Sequence, residues 1–285
     1  MNNRLICEDY TCSTDAVCVV RNELRQCYCN EGYEGDGETC ESLYTDCQAV
    51  YDAGHGDGVY AIMPTGWPES PFNVHCKMHS DGGWTVSHFY AANVFQRRTD
   101  DDTSFHQNWT TYRDGFGNSR NFWLGNEKLY YLTNQADYKL RLDITTSDGT
   151  SLYSEFTEFQ IESEETNYKM NKLGSRTSPS GSAGYYLSYN KGKQFSTYDR
   201  DNNACGNFNC AQLHRSGWWH YDNYCSNCWS SSYCYYIQYS SSCKSYCTYE
   251  NLNGVYNGGN GEMIYSYYNN YCNVQYVEMK IRPSS

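Results

Sequence analysis

Gly115-Phe116-Gly117, then Phe122-Trp123-Leu124-Gly125-Asn126-Glu127, then Tyr138-Lys139-Leu140-Arg141-Leu142-Asp143-Ile144 carry the reading of the fold. The third stretch alternates apolar and charged residues, the period of a strand with one face buried and the other wet. Just before it, Gly125 to Thr133 reads as a short helix with Leu124, Leu129 and Leu132 on one side. Alternating stretches recur, and loops rich in Gly, Ser and Asn dominate the second half. The expectation is an α+β domain built on antiparallel sheet, with a loop-rich C-terminal part.

Working outward, the 16 cysteines of the 285 residues are bunched. Six run from Cys7 to Cys40, two are Cys47 and Cys76, none lies from 77 to 204, and the rest run from Cys205 to Cys272. An even count at this density implies disulfides and an oxidising, extracellular compartment, so a secreted protein is expected. Met1-Asn2-Asn3-Arg4 is not followed by a leader-like apolar stretch, which suggests a mature or excised form. The apolar runs are too short for membrane insertion. A net charge of -12 without a basic cluster argues against nucleic acid as partner. The 31 tyrosines suit strands and, where exposed, binding surfaces. Gly-x-Ser-x-Gly, His-Glu-x-x-His and phosphate-loop motifs are missing and the seven His are scattered, so no enzyme is expected. Asn108-Trp109-Thr110 is a glycosylation sequon, which would make the protein a glycoprotein.

The first module spaces its cysteines as Cys7-x4-Cys12-x5-Cys18-x8-Cys27-x-Cys29-x10-Cys40, with glycines at 32, 35 and 37 in the last loop. Six cysteines allow fifteen pairings on spacing alone. The ladder and its Gly-Tyr-x-Gly-Asp-Gly tail resemble an EGF-like domain over residues 1–41. The resemblance implies pairs Cys7–Cys18, Cys12–Cys27 and Cys29–Cys40. Asn3-Arg4-Leu5-Ile6 stands where calcium-binding EGF-like members carry an acidic or amide cluster, so this module is expected to lack calcium and to act as a spacer.

Residues 46–283 carry a second series of phrases in order. Asp46-Cys47 leads to Ser70-Pro71-Phe72-Asn73-Val74-His75-Cys76, then Asp81-Gly82-Gly83-Trp84-Thr85-Val86 and Phe95-Gln96-Arg97-Arg98. Later come Phe195-Ser196-Thr197-Tyr198-Asp199-Arg200-Asp201, Trp218-Trp219, Asn251-Leu252-Asn253-Gly254 and Glu278-Met279-Lys280-Ile281-Arg282-Pro283. The series resembles a fibrinogen C-terminal-like domain, the family of fibrinogen chains, ficolins, tachylectins, angiopoietins and tenascins. That resemblance implies a Cys47–Cys76 bond and a loop-rich last subdomain holding calcium and ligand sites.

Asp199-Arg200-Asp201-Asn202-Asn203-Ala204-Cys205-Gly206-Asn207 sets oxygen-bearing side chains at alternate positions, a pattern that suits a Ca2+ loop and also a plain turn. By resemblance Asp201 and Asn203 bind the ion directly, Asp199 lies nearby through water, and the carbonyls of Cys205 and Asn207 complete the shell. Asn203 stands where the family has Asp, so one negative charge is lost and weaker affinity is expected.

The family disulfide after this loop implies Cys210–Cys247, with Tyr246, Cys247 and Thr248 at the ligand pocket, Thr248 replacing the lectins' His and a cis bond expected before Cys247. His214 and His220 are weighed as pocket borders against the commoner case of surface His. Between Trp219 and Cys247 lies an insertion, 220–246, made almost entirely of Tyr, Ser, Cys and Asn. Cys205, Cys225, Cys228, Cys234, Cys243 and Cys272 belong to neither frame and suffice for three further disulfides. Three readings of the insertion compete: a zinc site at Cys225-x2-Cys228 and Cys243-x3-Cys247, a stapled surface loop without function, and a rigid binding knob presenting Tyr235, Tyr236 and Tyr239. The knob is favoured. A smaller insertion at 87–93 carries no functional reading.

Two functions follow as expectations. The first is a calcium-dependent lectin of innate immunity, binding carbohydrate or acetylated surface groups. The alternative is a matrix, cell-adhesion or receptor-ligand protein that binds an extracellular protein.

Overall fold

The computed structural model describes residues 6–7, 10–21, 24–30, 32–79, 82–84, 95–146, 149, 151–177, 185–204, 209–220, 251–256, 264–267 and 270–284. The insertion at 87–93 and, apart from His220, the insertion at 220–246 lie outside them.

The N-terminal region is three small antiparallel pairs. β1 (Ile6–Cys7) pairs with β2 (Tyr10–Thr11), β3 (Ala16–Arg21) with β4 (Leu24–Cys29), and β5 (Tyr33–Gly35) with β6 (Cys40–Ser42). Its buried cluster is Cys7, Cys12, Ala16 and Cys27. Three half-cystines and a methyl group are too little apolar surface to hold forty residues. Disulfides Cys7–Cys18, Cys12–Cys27 and Cys29–Cys40 supply the constraint instead.

Next comes α1 (Cys47–Asp52), capped by Asp46, whose carboxylate accepts from the Gln48 and Ala49 amides at 2.9 and 3.0 Å. A three-stranded antiparallel sheet follows, β7 (Gly58–Ile62), β8 (Phe72–His79) and β9 (Gly82–Trp84). The Cys47–Cys76 bond ties α1 to β8.

The main body holds β10 (Gln96–Arg98), α2 (Trp109–Asp114), β11 (Phe116–Gly117), β12 (Phe122–Trp123) and α3 (Asn126–Asn134). It continues with β13 (Tyr138–Thr146), β14 (Ser151–Ile161), β15 (Met170–Leu173), β16 (Arg176–Thr177), α4 (Cys210–His214), β17 (Ile264–Tyr267) and β18 (Asn270–Pro283). The main path of the sheet runs β11-β12-β10-β18-β13-β14-β15, with β16 on β14 and β17 on β18. Every ladder is antiparallel, and the last strand sits in the middle, between β10 and β13.

Alternation explains the two faces. Tyr138, Leu140, Leu142 and Ile144 of β13 are buried, as are Val277, Met279 and Ile281 of β18. The opposite face carries a ladder of ion pairs: Arg97–Glu278, Glu278–Lys280, Lys280–Asp143, Asp143–Arg141 and Arg141–Glu155. Helix α3 begins one residue later than the sequence suggests. Gly125 is its cap, at φ 117°, because the chain must reverse there against the backbone of Arg113 and Asp114. Leu129 and Leu132 face the core as expected. Among the described residues no helix is long and apolar enough to cross a membrane.

Candidate functional site

The loop from Thr197 to Ala204 is anchored before it begins. Ser196 and Trp218 exchange both backbone hydrogen bonds, at 3.0 and 3.2 Å. Thr197 and Arg200 exchange a second pair and close a tight turn. Asn202 is bound back to the Ser196 hydroxyl at 3.0 Å and to the Phe195 carbonyl at 2.7 Å. Asn209, the cap of α4, donates to the Tyr198 carbonyl at 3.0 Å and accepts from the Gln212 amide at 2.8 Å. Behind the turn, buried Phe195, Trp218 and Trp219 form the floor, and the Trp219 indole donates to the Tyr168 carbonyl at 2.7 Å.

Each acidic side chain has a distinct task. Asp199 accepts at one oxygen from the Trp109 amide, 2.9 Å, and the Thr197 hydroxyl, 2.7 Å. It thus places negative charge at the first turn of α2 and fixes that helix to the loop. Arg200 lies over the Trp109 ring at 3.9 Å and pairs with Glu164 at 3.0 Å. Asp201 accepts from the backbone and side-chain amides of Asn203. Among the described residues no basic side chain lies within ion-pair distance of Asp201. Partial burial shifts its carboxyl above the usual range, against the opposing pull of the Asn203 hydrogen bonds.

This donor set suits a hard cation. Asp201 supplies a carboxylate without a cationic partner, and Asn203 a carboxamide whose oxygen can turn toward the same point. Asp199 stands two residues behind Asp201 and is already engaged. Cys205 and Asn207 lie outside the described residues. The group of three possible ligand side chains found among the described residues, Cys7, Cys12 and Cys27, is consumed in disulfides.

The expected ligand residues divide sharply. Tyr235, Tyr236, Tyr239, Tyr246, Cys247 and Thr248 lie outside the described residues, as do Cys225, Cys228, Cys234 and Cys243. The side chain of Cys272 is likewise undescribed. Cys210 is buried at the start of α4. His214 and His220 correct the expectation of surface histidines: both are buried, their rings stacked with centroids 5.5 Å apart. They are carried inward because the chain reverses after α4 at Arg215 and Ser216, and the Ser216 hydroxyl is bound to the buried Asn251 amide at 2.9 Å. His220 is held neutral, pushed down to about 3 by burial and by the neighbouring His214 ring. Neither ring is offered to solvent for a ligand.

The structure adds residues that the sequence does not mark. Tyr198, inside the loop, is 41% exposed, and its ring meets His106 edge-on at 4.8 Å. His106 in turn lines a groove of about 280 Å³ with Arg98 and Arg215. Arg98 stands in a family phrase, but only the fold shows that it lines a cavity. The sequon's Asn108 caps α2 through its side-chain oxygen, 2.9 Å from the Thr111 amide, next to the Asp199 contact.

Comparison with known proteins follows this geometry. The profile of "Fibrinogen beta and gamma chains, C-terminal globular domain" matches residues 43–284. Angiopoietin-related protein 1 of Bos taurus is 38% identical over 183 residues, 63% of this chain and 34% of that protein. Fibrinogen-like protein 1 of Homo sapiens is 32% identical over 279 residues, 88% of this chain and 77% of that protein. The present sequence therefore spans about a third of the former and three quarters of the latter. Among solved structures, the fibrinogen-like globe domain of human ANGPTL2 superposes with a TM-score of 0.66 at 30% identity, covering 85% of this chain and 100% of that one. Lamprey fibrin D-dimer, complexed with the peptide ligand Gly-His-Arg-Pro-amide, gives 0.65 at 26% identity, covering 85% and 74%.

Proposed function

Since the protein belongs to the family of the globular domain that ends the fibrinogen beta and gamma chains, we propose that it is a secreted recognition protein whose large domain binds an extracellular protein partner. A small disulfide-stapled module of EGF-like type precedes that domain as a spacer. The observation that carries the reading is a peptide ligand on a related structure of the same fold, at 26% identity. The exposed Tyr198 and His106 rings beside a firmly anchored loop are the kind of rigid aromatic surface that protein recognition uses. The role is binding rather than catalysis.

Calcium completes this reading. Asp201 and Asn203 would hold the ion, with the carbonyls of Cys205 and Asn207, and Asp199 would steady the loop from α2. The ion would neutralise the carboxylate and tighten the loop next to the binding surface.

The lectin reading ranks second. Its pocket would need a side chain from the 221–250 region, while His214 is packed inward. N-acetylglucosamine-agarose separates the two. The protein should flow through with calcium present, and cross-linking to cell-surface proteins should recover one partner lost on chelation. Calcium-dependent retention, with release by free N-acetylglucosamine, would restore the lectin.

A further inference from the structure

Asn108-Trp109-Thr110 is the one Asn-x-Ser/Thr sequence in the chain, and its three side chains part company in the fold. Trp109 is 6% exposed and turns inward, its ring stacked on Tyr168 with centroids 5.5 Å apart and covered by Arg200. Asn108 is half-buried and Thr110 exposed. The two residues that a glycosyl transferase reads therefore lie on the outside, and the residue between them is core.

Asn108 also divides its own side chain. Oδ1 caps α2 by accepting from the Thr111 amide at 2.9 Å, and the Asn108 carbonyl accepts from the Tyr112 amide at 3.1 Å. Nδ2 makes no hydrogen bond among the described residues and is not sealed from solvent. A cap of this kind uses only the side-chain oxygen. An N-linked sugar uses only the nitrogen. One residue can therefore do both, and the cap would fix the direction in which the first sugar leaves α2.

The surroundings say what such a sugar borders. Asp199 accepts at 2.9 Å from the next amide along, that of Trp109, which sets Asn108 against the loop that begins at Thr197. His106, two residues earlier and exposed, meets Tyr198 of that loop edge-on at 4.8 Å.

We propose that Asn108 carries an N-linked glycan in the secreted protein, and that this glycan fences the Tyr198–His106 surface on its α2 side. The donor is a lipid-linked oligosaccharide diphosphate of the secretory lumen, where disulfides such as Cys47–Cys76 also form. Nδ2 bonds to C1 of the first N-acetylglucosamine, the C1–O bond to the lipid diphosphate breaks, and Nδ2 gives up one proton. The amide keeps one N–H and its whole carbonyl, so the cap survives. A partner then approaches Tyr198 and His106 from the loop rather than from α2. The fence rests on the protein-partner reading, and the attachment does not.

The test uses the full chain secreted from animal cells. Release with peptide N-glycosidase in ¹⁸O water should convert Asn108 to an ¹⁸O-labelled Asp, read by peptide mass. Thr110→Ala and Asn108→Asp should each abolish the label. Both keep an oxygen on the Thr111 amide, so both should be secreted folded and melt with the enzymatically deglycosylated protein. Hydroxyl-radical labelling of Tyr198 and His106 should be about threefold higher in Asn108→Asp than in the glycosylated protein, with the exposed Tyr51 of α1 as the unchanged reference. Folded secreted protein without ¹⁸O at Asn108, or a glycan that persists in both variants, would overturn the site. A glycan at Asn108 with equal labelling of Tyr198 and His106 would overturn the fence. The experiment uses no partner, so its failure leaves partner capture standing, and failure of capture leaves the attachment standing.

Discussion

Asp199 and Asp201 are two residues apart and of one type, yet they do different work. Asp199 is bound by the Trp109 amide and the Thr197 hydroxyl, whereas Asp201 has, among the described residues, only Asn203. Replacing Asp201 by Asn should abolish any rise in melting temperature with millimolar calcium, and change the calcium-free value little. Replacing Asp199 by Ala should lower calcium-free stability by about 1 kcal/mol, through loss of charge at the helix N-terminus and of the hydrogen bonds. Scanning fluorimetry with calcium or chelator reads both, and an Asp201→Asn variant that keeps its calcium response would move the ion elsewhere. His220 gives a pH signature. It stays neutral in the fold down to about pH 3, while the unfolded chain takes a proton below 6.5. Stability is therefore intact above pH 6.5 and falls as pH drops toward 3, by about 2 kcal/mol at pH 5 from this one ring. Denaturation between pH 7 and 5 should show the loss, and His220→Phe should remove most of it. An identical slope in the variant would assign the acid sensitivity to other groups.

At the scale of elements, the turn from β11 to β12 shows why the phrase Gly115-Phe116-Gly117 is informative. Gly117 has φ 112°, and a Cβ there would lie 2.1 Å from the Asn121 carbonyl oxygen. Backbone packs against backbone, so nothing flexible can yield. Gly117→Ala should cost about 2 kcal/mol or more. Gly56→Ala, where nothing lies within 4 Å of the added carbon, should stay within about 0.5 kcal/mol. Urea denaturation of the two variants checks the contrast, and similar midpoints would refute it. The same scale explains what is legible in the sequence. Helix α3 and strand β13 are readable because their periods match one buried face. The ion-pair ladder beside β13 is not, because Glu278 and Lys280 reach Arg97 and Asp143 only through strand order.

For the whole molecule, the decisive feature is that the last strand is central. β18 bonds to β10 on one side and β13 on the other. Deleting residues 270–285 should strip the partner from the short β10 and from the nine-residue β13, leave both edges open, and abolish the cooperative unfolding transition. Deleting residues 1–42 should leave the transition of the large domain in place, because its core begins at Cys47. Calorimetry decides both, and a folded protein without β18 would contradict the topology. Cysteine bunching and alternation made the stapled N-terminal pairs and the antiparallel body legible, since these depend on neighbours along the chain. The burial of His214, the burial of Arg98 and the divergence of Asp199 from Asp201 were decided by tertiary structure alone. Each depends on a partner far away in sequence — Asn251 on the turn beside the histidine, Gly254 on the arginine, Trp109 on the aspartate — and local pattern carries no record of such contacts.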